Sequence, residues 1–146
     1  MFRAGSLLCA LHLDEVIETL RPLAVRPLAG TPPFVLGVTI MRGVPAPVID
    51  VARLLGGEQA DVARFVAVRT ERGPVAFATG PVLGIRPADT GTRIEHGTAG
   101  PGLAIAGAST ALVAGVATLD AEPLLLLQSL RVVPDEVWTA AAGGTP

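Results

Sequence analysis

The fold is decided by the stretch FVLGVTIMRGVPAPVIDVARLL, residues Phe34 to Leu55. Two short apolar runs flank Met41-Arg42-Gly43, and glycine at the end of this tripeptide suits a turn residue with positive φ. The stretch therefore predicts a strand, a tight turn and a second strand. Asp50 is placed to cap a helical turn over Val51–Leu55, which Gly56-Gly57 would end.

Short apolar runs separated by glycine and proline continue along the chain. The 146 residues include 17 Gly and 13 Pro, and half of them are apolar. Frequent turn residues between short aliphatic and β-branched runs are typical of many short strands, and thus of an all-β barrel or sandwich. The other runs are Leu7–Leu13, Phe65–Arg69, Val75–Ala78, Leu112–Thr118 and Pro123–Leu127.

A second copy of the opening stretch occurs later in the chain. Placing Gly37-Val38 over Gly115-Val116 needs no gap to align the residues that follow. A looser match sets residues 7–17 over residues 73–83. Such a repeat is typical of a duplicated small barrel. The matched pairs are Met41 with Leu119, Pro45 with Pro123, Ile49 with Leu127, Arg53 with Arg131, and Val16 with Val82.

Composition excludes several classes of function. Half the residues are apolar and 16% are charged, which is typical of a folded chain. The net charge of −2 and the 3% of aromatic residues argue against a nucleic-acid-binding surface. Cys9 is the single cysteine, so an intramolecular disulfide is impossible, which fits a reducing compartment.

Two segments of low charge are candidates for membrane elements. Leu7–Leu11 is apolar, but His12 and Asp14 interrupt it, and it is too short for the core of a signal peptide. Residues 97–119 carry no charge, but they are mostly Gly, Ala, Ser and Thr and include Pro101. We therefore expect no transmembrane helix and a cytoplasmic protein.

The sequence offers little for catalysis or for cofactor binding. His12 and His96 lack a partner at metal-ligand spacing, and no phosphate loop, dinucleotide fingerprint or serine-nucleophile motif is present. Asp14-Glu15 with Glu18 is more typical of a solvated turn than of an acid–base pair. We expect no enzyme, no metal and no cofactor.

The Met41-Arg42-Gly43 turn is the strongest candidate for a functional site. An arginine fixed at a turn beside an apolar methionine suits a protein interface, where both residue types are enriched. From spacing alone, a solvated turn arginine explains the pattern as well.

The chain resembles CheW, the family of coupling proteins of bacterial chemotaxis arrays. The family signature has an aliphatic-Gly-Val strand, a turn ending in Arg-Gly, and then Pro-Val-Ile-Asp with a later Leu-Gly. Residues 2–20 are similar to the family's opening hairpin and V-x-E pattern, and residues 113–130 match its second barrel more loosely. The signature residues present are Gly37-Val38, Arg42-Gly43, Pro47-Val48-Ile49-Asp50 and Leu55-Gly56.

The resemblance implies an all-β fold of two SH3-like five-stranded barrels packed together, with short helical turns. We expect residues 1–146 to form a single CheW-like domain. Its approximate sub-barrels are 14–64 and 65–130, and the N-terminal hairpin, residues 1–13, is a candidate to cross between them.

The resemblance also implies a non-enzymatic adaptor. It would couple the cytoplasmic tip of a chemoreceptor to the regulatory domain of a CheA-type histidine kinase, in receptor clusters. The receptor would bind in the groove between the barrels, and the kinase would bind the first barrel. The implied receptor-binding residues are Val16, Glu18, Arg42, Phe65 and Val66. The implied kinase-binding residues are Arg21, Leu23, Val25 and Arg26.

Departures from the family pattern leave two alternatives open. Ile40-Met41 replaces Asn-Leu before the Arg-Gly pair, Thr79-Gly80 replaces a Val-Asp pair, and Gln128 replaces a late aspartate. An accessory CheW paralog that binds receptors without the kinase would fit these changes. A small β-barrel ligand-binding domain or enzyme is the alternative of another class, although no set of converging titratable groups supports it.

Overall fold

A computed structural model describes residues 1–57, 60–85, 113–128 and 137–138, and the backbone of residues 93–96. Strands account for most of these residues. The strands are β1 Phe2–Ala4, β2 Leu7–Ala10, β3 Val16–Leu20, β4 Val35–Met41, β5 Val44–Asp50, β6 Arg64–Thr70, β7 Gly73–Thr79, β8 Arg93–His96, β9 Val113–Leu119 and β10 Glu122–Leu127. The helical elements are a 3₁₀ turn, Leu13–Glu15, and one α-helical turn, α1 Val51–Leu54, and residues 137–138 are helical as well.

The strands form two five-stranded sheets. One sheet has the order β3-β6-β7-β5-β4 and is called the first barrel; the other has the order β1-β2-β10-β9-β8 and is called the second barrel. The predicted all-β class with short helical turns is confirmed. No helix within the described residues is long and apolar enough to cross a membrane.

The predicted strand-turn-strand unit is the β4–β5 hairpin. Met41 pairs with Val44, so only Arg42 and Gly43 form the turn. Both residues have positive φ, 49° and 80°, as the two central residues of a type I′ turn require. Glycine adopts this conformation without strain, whereas Arg42 pays a steric cost for it.

Asp50 begins the helical turn as predicted. Its Oδ1 accepts a hydrogen bond from the backbone N–H of Arg53 at 3.2 Å, which is the usual contact of a helix N-cap. The α-helical turn ends at Leu54, one residue before the predicted end.

The register of the strands confirms the internal repeat. Val48 pairs with Ala76 in the first barrel, and its repeat equivalent Leu126 pairs with Ala10 in the second. The looser alignment of residues 7–17 over residues 73–83 places Ala10 over Ala76, as this pairing requires. Similarly, Val16 pairs with Val68, and its equivalent Val82 pairs with Phe2.

The two repeats exchange their first hairpins. The β1–β2 hairpin of the first repeat pairs with β10 in the second barrel, and the β6–β7 hairpin of the second repeat pairs with β3 and β5 in the first. The two sheets therefore do not divide at the predicted boundary between residues 64 and 65, because β6 and β7 belong to the first barrel and extend it to Thr79. The predicted end of the second sub-barrel, residue 130, lies outside the described residues.

Apolar side chains form three clusters that follow from this exchange. A cluster around Phe65 and Val48 fills the first barrel, and one around Leu8 and Leu124 lies inside the second. The largest cluster contains residues of both sheets, including Phe77 of the first barrel and Leu125 of the second. This shared core fixes the two barrels side by side and creates the groove between them.

Candidate partner-binding surfaces

A β-bulge in β3 separates the predicted receptor-binding residues. Val16 pairs with Val68, but Glu18 pairs with Ala67. The step from one pair to the next therefore covers two residues in β3 and only one in β6. In a regular strand, residues two apart point to the same face. Because the bulge adds one residue, Val16 points to the shared core and Glu18 points to the opposite face.

The groove between the barrels is the first candidate surface. It has a volume of about 420 Å³ and is lined mostly by apolar side chains. Val16 and Val66, two of the predicted receptor-binding residues, lie in its wall together with Thr19. Exposed Leu13 and Ile85 stand at its rim.

Phe65 does not reach this groove. Adjacent residues of a strand point to opposite faces, so Phe65 points into the first barrel while Val66 points out of it. The side chain of Phe65 is 2% exposed and packs in the interior cluster of the first barrel. Its implied role as a direct contact is not compatible with this burial, and we assign it to the packing of the first barrel.

Glu18 and Arg42 form an ion pair on the first barrel. Nε of Arg42 donates to Oε2 of Glu18 at 2.6 Å, and Nη2 donates to Oε1 at 2.7 Å. The hydrogen bonds from Arg42 lower the pKa of the Glu18 carboxyl, and the same bonds raise the pKa of Arg42. The side chain of Arg42 stays 78% exposed, so the pair presents a fixed, charged group to solvent.

The predicted kinase-binding segment, Arg21–Arg26, runs along the free edge of β4. The backbones of Arg26 and Val38 exchange two hydrogen bonds of 2.8 Å, and Oγ1 of Thr39 donates to the Ala24 carbonyl at 2.8 Å. Gly37 permits this approach, because a Cβ there would lie 2.1 Å from the carbonyl oxygen of Arg26. We call this segment the strap.

The four predicted residues of the strap differ in exposure. Val25 packs against the interior cluster of the first barrel and anchors the strap. Arg21 and Arg26 are exposed, and the Leu23 side chain is 38% exposed. The strap therefore presents one apolar side chain between arginines, with Val25 as its support.

Sequence reasoning missed several exposed apolar residues beside these surfaces, among them Ile40 and Ile85. Ile40 is 53% exposed, because it points away from the interior that its neighbour Met41 fills. Ile85 is exposed at the rim of the groove. Because adjacent residues of a strand point to opposite faces, a buried Met41 would have predicted an exposed Ile40. Ile85 follows no run of alternating residues, so the sequence offered no such signal for it.

No metal centre is formed by the described residues. No three His, Cys, Asp or Glu side chains among them are grouped as metal ligands. Burial raises the pKa of Cys9 to about 12, so its thiol stays protonated at neutral pH.

Comparison with known proteins identifies the fold and the family. The family model described as CheW-like domain matches residues 1–137. FrzA of Myxococcus xanthus is 39% identical over 61 residues, which are 42% of this chain and 38% of FrzA. The chain thus aligns with well under half of the length of that relative.

A crystal structure of the scaffolding protein TtCheW from Thermoanaerobacter tengcongensis superposes with a TM-score of 0.74. The superposition covers 90% of this chain and 88% of that one, at 22% sequence identity. It confirms the predicted fold of two SH3-like β-barrels.

Proposed function

This chain belongs to the CheW-like domain family, and from that premise we propose that it is a non-enzymatic adaptor in chemosensory signalling. It would couple the cytoplasmic tip of a chemoreceptor to a CheA-type histidine kinase. The observation that carries this proposal is the presence of two separate candidate surfaces. The groove and the strap share no residue, so the two partners would contact different residues.

The receptor tip is proposed to bind in the groove. Val16 and Val66 supply apolar wall, and burial of such area is the main source of attraction in an interface. The Arg42–Glu18 pair does not line the groove, and it would add charge at a second point of contact that fixes register and specificity. Phe65 contributes from inside, because its packing holds β6 in position behind Val66.

The kinase regulatory domain is proposed to bind the strap. Leu23 would be the apolar contact, and Arg21 and Arg26 would contribute charge at the rim of the interface. Since β4 supports the strap through backbone hydrogen bonds, its conformation is set before the partner binds.

A receptor-only accessory adaptor is the second candidate. Ile40 stands where the family carries asparagine, and by the pairing of Arg26 with Val38 it lies on the part of β4 beside Ala24 of the strap. An exposed isoleucine at that place changes the surface offered to a kinase. It leaves the residues that line the groove unchanged.

Pull-down against a purified receptor cytoplasmic tip and against a kinase regulatory domain tests both candidates. Binding to both at micromolar concentration supports the two-partner adaptor, and binding to the receptor alone supports the accessory form. If neither binds, the adaptor function is wrong.

Three variants then assign the surfaces. Val82→Asp places a charge in the wall of the groove and should weaken receptor binding by more than about tenfold. Leu23→Asp should weaken kinase binding and leave receptor binding unchanged. Leu83→Asp is the matched control, because Leu83 is exposed next to Val82 but lies outside both surfaces.

Arg42→Ala should weaken receptor binding while the protein stays folded. An unfolded variant would instead assign Arg42 to a structural role. Circular dichroism of the purified variant separates these outcomes.

A further inference from the structure

Two arginines face each other where β3 and β6 leave the groove. The register between these strands ends with Leu20 opposite Phe65. The same register continued by one residue sets Arg21 opposite Arg64. Both arginines are exposed, whereas the pair before them packs against the interior of the first barrel. Because adjacent residues of a strand point to opposite faces, the two arginines point outward from the same face of the sheet.

This outward face continues into the wall of the groove. Thr19 pairs with Val66, and both residues line the groove between the barrels. The arginines lie two residues beyond this pair on the same face, which is about 7 Å at the rise of a β-strand. The wall therefore ends at two cationic side chains, on the side away from Val16. We call Arg21 and Arg64 together the arginine end.

Neither arginine has an acidic partner among the described residues. The ion pairs found there join other side chains, and Asp61, which is exposed shortly before Arg64 in the chain, does not pair with it. Nη1 of Arg64 donates to the adjacent carbonyl of Ala63 at 2.8 Å, a bond that does not neutralise its charge. Like charges directly opposite each other on neighbouring strands destabilise a sheet. A negatively charged group of a partner would remove this cost.

The opposite end of the same wall carries mixed charge. Asp14 and Glu15 lie in the 3₁₀ turn just before Val16. Nε of Arg69 donates to the Asp14 carbonyl at 3.4 Å, which places a basic side chain beside this acidic turn. The groove is therefore electrically asymmetric along β3, and a charged partner would be oriented by the difference between its two ends.

We propose that the arginine end binds a carboxylate side chain of the receptor tip and thereby fixes the direction in which the tip lies along the groove. The inference rests on the proposed function for the identity of the partner. Arginine suits this task because its planar guanidinium can donate two parallel hydrogen bonds to one carboxylate. The acidic side chain is held by the arginine end while the apolar wall supplies the rest of the contact.

Arg64→Gln is the test variant, because Arg64 lies outside the strap and does not line the groove. It should weaken binding of a purified receptor tip about three- to tenfold at low salt, mainly through slower association, as is usual for a charge at the rim of an interface. The loss should shrink in about 0.5 M salt, which screens exposed charges. Arg53→Gln is the matched control and should not weaken binding, since Arg53 is an exposed arginine of α1 outside both surfaces.

A double-mutant cycle identifies the group on the partner. Each Asp and Glu of the receptor tip is changed in turn to Asn or Gln, and binding to the wild-type protein and to Arg64→Gln is measured. One of these changes should weaken binding to the wild-type protein and have no further effect on binding to Arg64→Gln. Additive losses at every acidic position would overturn the proposal.

Receptor binding separates this proposal from the proposed function. If the tip binds the wild-type protein and Arg64→Gln equally, the carboxylate site is wrong and the adaptor function stands. If the tip does not bind the wild-type protein, both are wrong. If Arg53→Gln weakens binding as much as Arg64→Gln, the effect is one of net charge and the carboxylate site is again wrong. Circular dichroism checks that each variant is folded, and Arg21→Gln takes the place of Arg64→Gln if the latter is not.

Discussion

The guanidinium of Arg42 holds both carboxylate oxygens of Glu18, at 2.6 and 2.7 Å, and so connects the turn after β4 with β3. These two strands are the opposite edges of the first sheet. Backbone hydrogen bonds between β3 and β4 are absent from the described pairings, so the ion pair is a side-chain link across that seam. The same arginine that is proposed to contact a receptor therefore also links the hairpin turn to the strand at the other edge of the sheet.

The stabilisation of the fold by the Arg42–Glu18 ion pair should depend on pH in a predictable direction. Hydrogen bonds from Arg42 lower the pKa of Glu18 below its ordinary value of 4.5, so ionised Glu18 favours the folded state. That stabilisation is present above the unfolded pKa and is lost as the pH falls through the folded pKa. We expect the difference in urea midpoint between wild type and Arg42→Gln to be largest near neutral pH and to shrink under acidic conditions.

Carboxyl-detected NMR measures the same pair directly. The titration midpoint of Glu18 should rise in Arg42→Gln, and 1 M salt should reduce the difference because the pair is exposed. Glu122 is the internal control, since its pKa is lowered by Arg3 and should not respond to the change. An unchanged Glu18 midpoint would show that the ion pair does not persist in solution.

Two glycines of the β4–β5 hairpin should respond differently to alanine. Gly43→Ala introduces strain only through its φ of 80°, because nothing lies within 4 Å of the new Cβ, and it should cost about 1–2 kcal/mol. Gly37→Ala drives a Cβ to 2.1 Å from the Arg26 carbonyl and should cost more, because the strap must move. Guanidinium unfolding of the two variants checks the order.

Displacement of the strap has its own readout. Amide exchange at Arg26 and Val38, whose backbones are bonded to each other, should accelerate in Gly37→Ala and not in Gly43→Ala. Similar protection in both variants would mean that the strap is held mainly by Val25 rather than by the edge of β4.

The parts of the fold that depend on local sequence pattern were predictable. The parts that depend on which distant strands pair with each other were less so. The Arg42-Gly43 turn and the repeat could be recognised because turn residues and apolar runs recur at fixed spacing. The boundary near residue 64 was misplaced because β6 pairs with β3, a distant strand, and no local signal in the sequence records that choice.

The candidate sites show the same division. Val16 and Val66 lie in the wall of the groove, where the resemblance implied a receptor site. Glu18 does not lie on the same face of β3 as Val16, because a bulge separates them. The V-x-E spacing does not predict this backbone irregularity. Phe65 was misassigned because the strand face it occupies depends on which barrel β6 belongs to.

Cys9 should act as a reporter of unfolding. It is buried in the shared core, and burial raises its pKa to about 12 from an ordinary 9.0. Iodoacetamide should therefore modify the native thiol only through unfolding, at a rate that rises with urea. Fast modification at neutral pH in the absence of denaturant would contradict the buried position.

The raised thiol pKa also predicts a loss of stability in alkali. Below pH 9.0 the thiol is protonated in both states, so its contribution is fully present. As the pH rises from 9.0 toward 12, the unfolded thiol ionises first and the folded state loses relative stability. Cys9→Ala should reduce the slope of the urea midpoint in this range, and an unchanged slope would argue against it.

The exchange of hairpins predicts that the two repeats cannot fold separately. A fragment of residues 1–59 lacks the β6–β7 hairpin that completes the first barrel, and residues 60–146 lack the β1–β2 hairpin that completes the second. Each fragment alone should show little protected backbone, because central pairings such as Val48 with Ala76 and Leu126 with Ala10 are missing. Mixing the fragments should restore both sheets, which heteronuclear NMR of one labelled fragment would detect. Independent folding of residues 60–146 into a dispersed spectrum would show that the exchange is not required, and that the second repeat carries a complete barrel by itself.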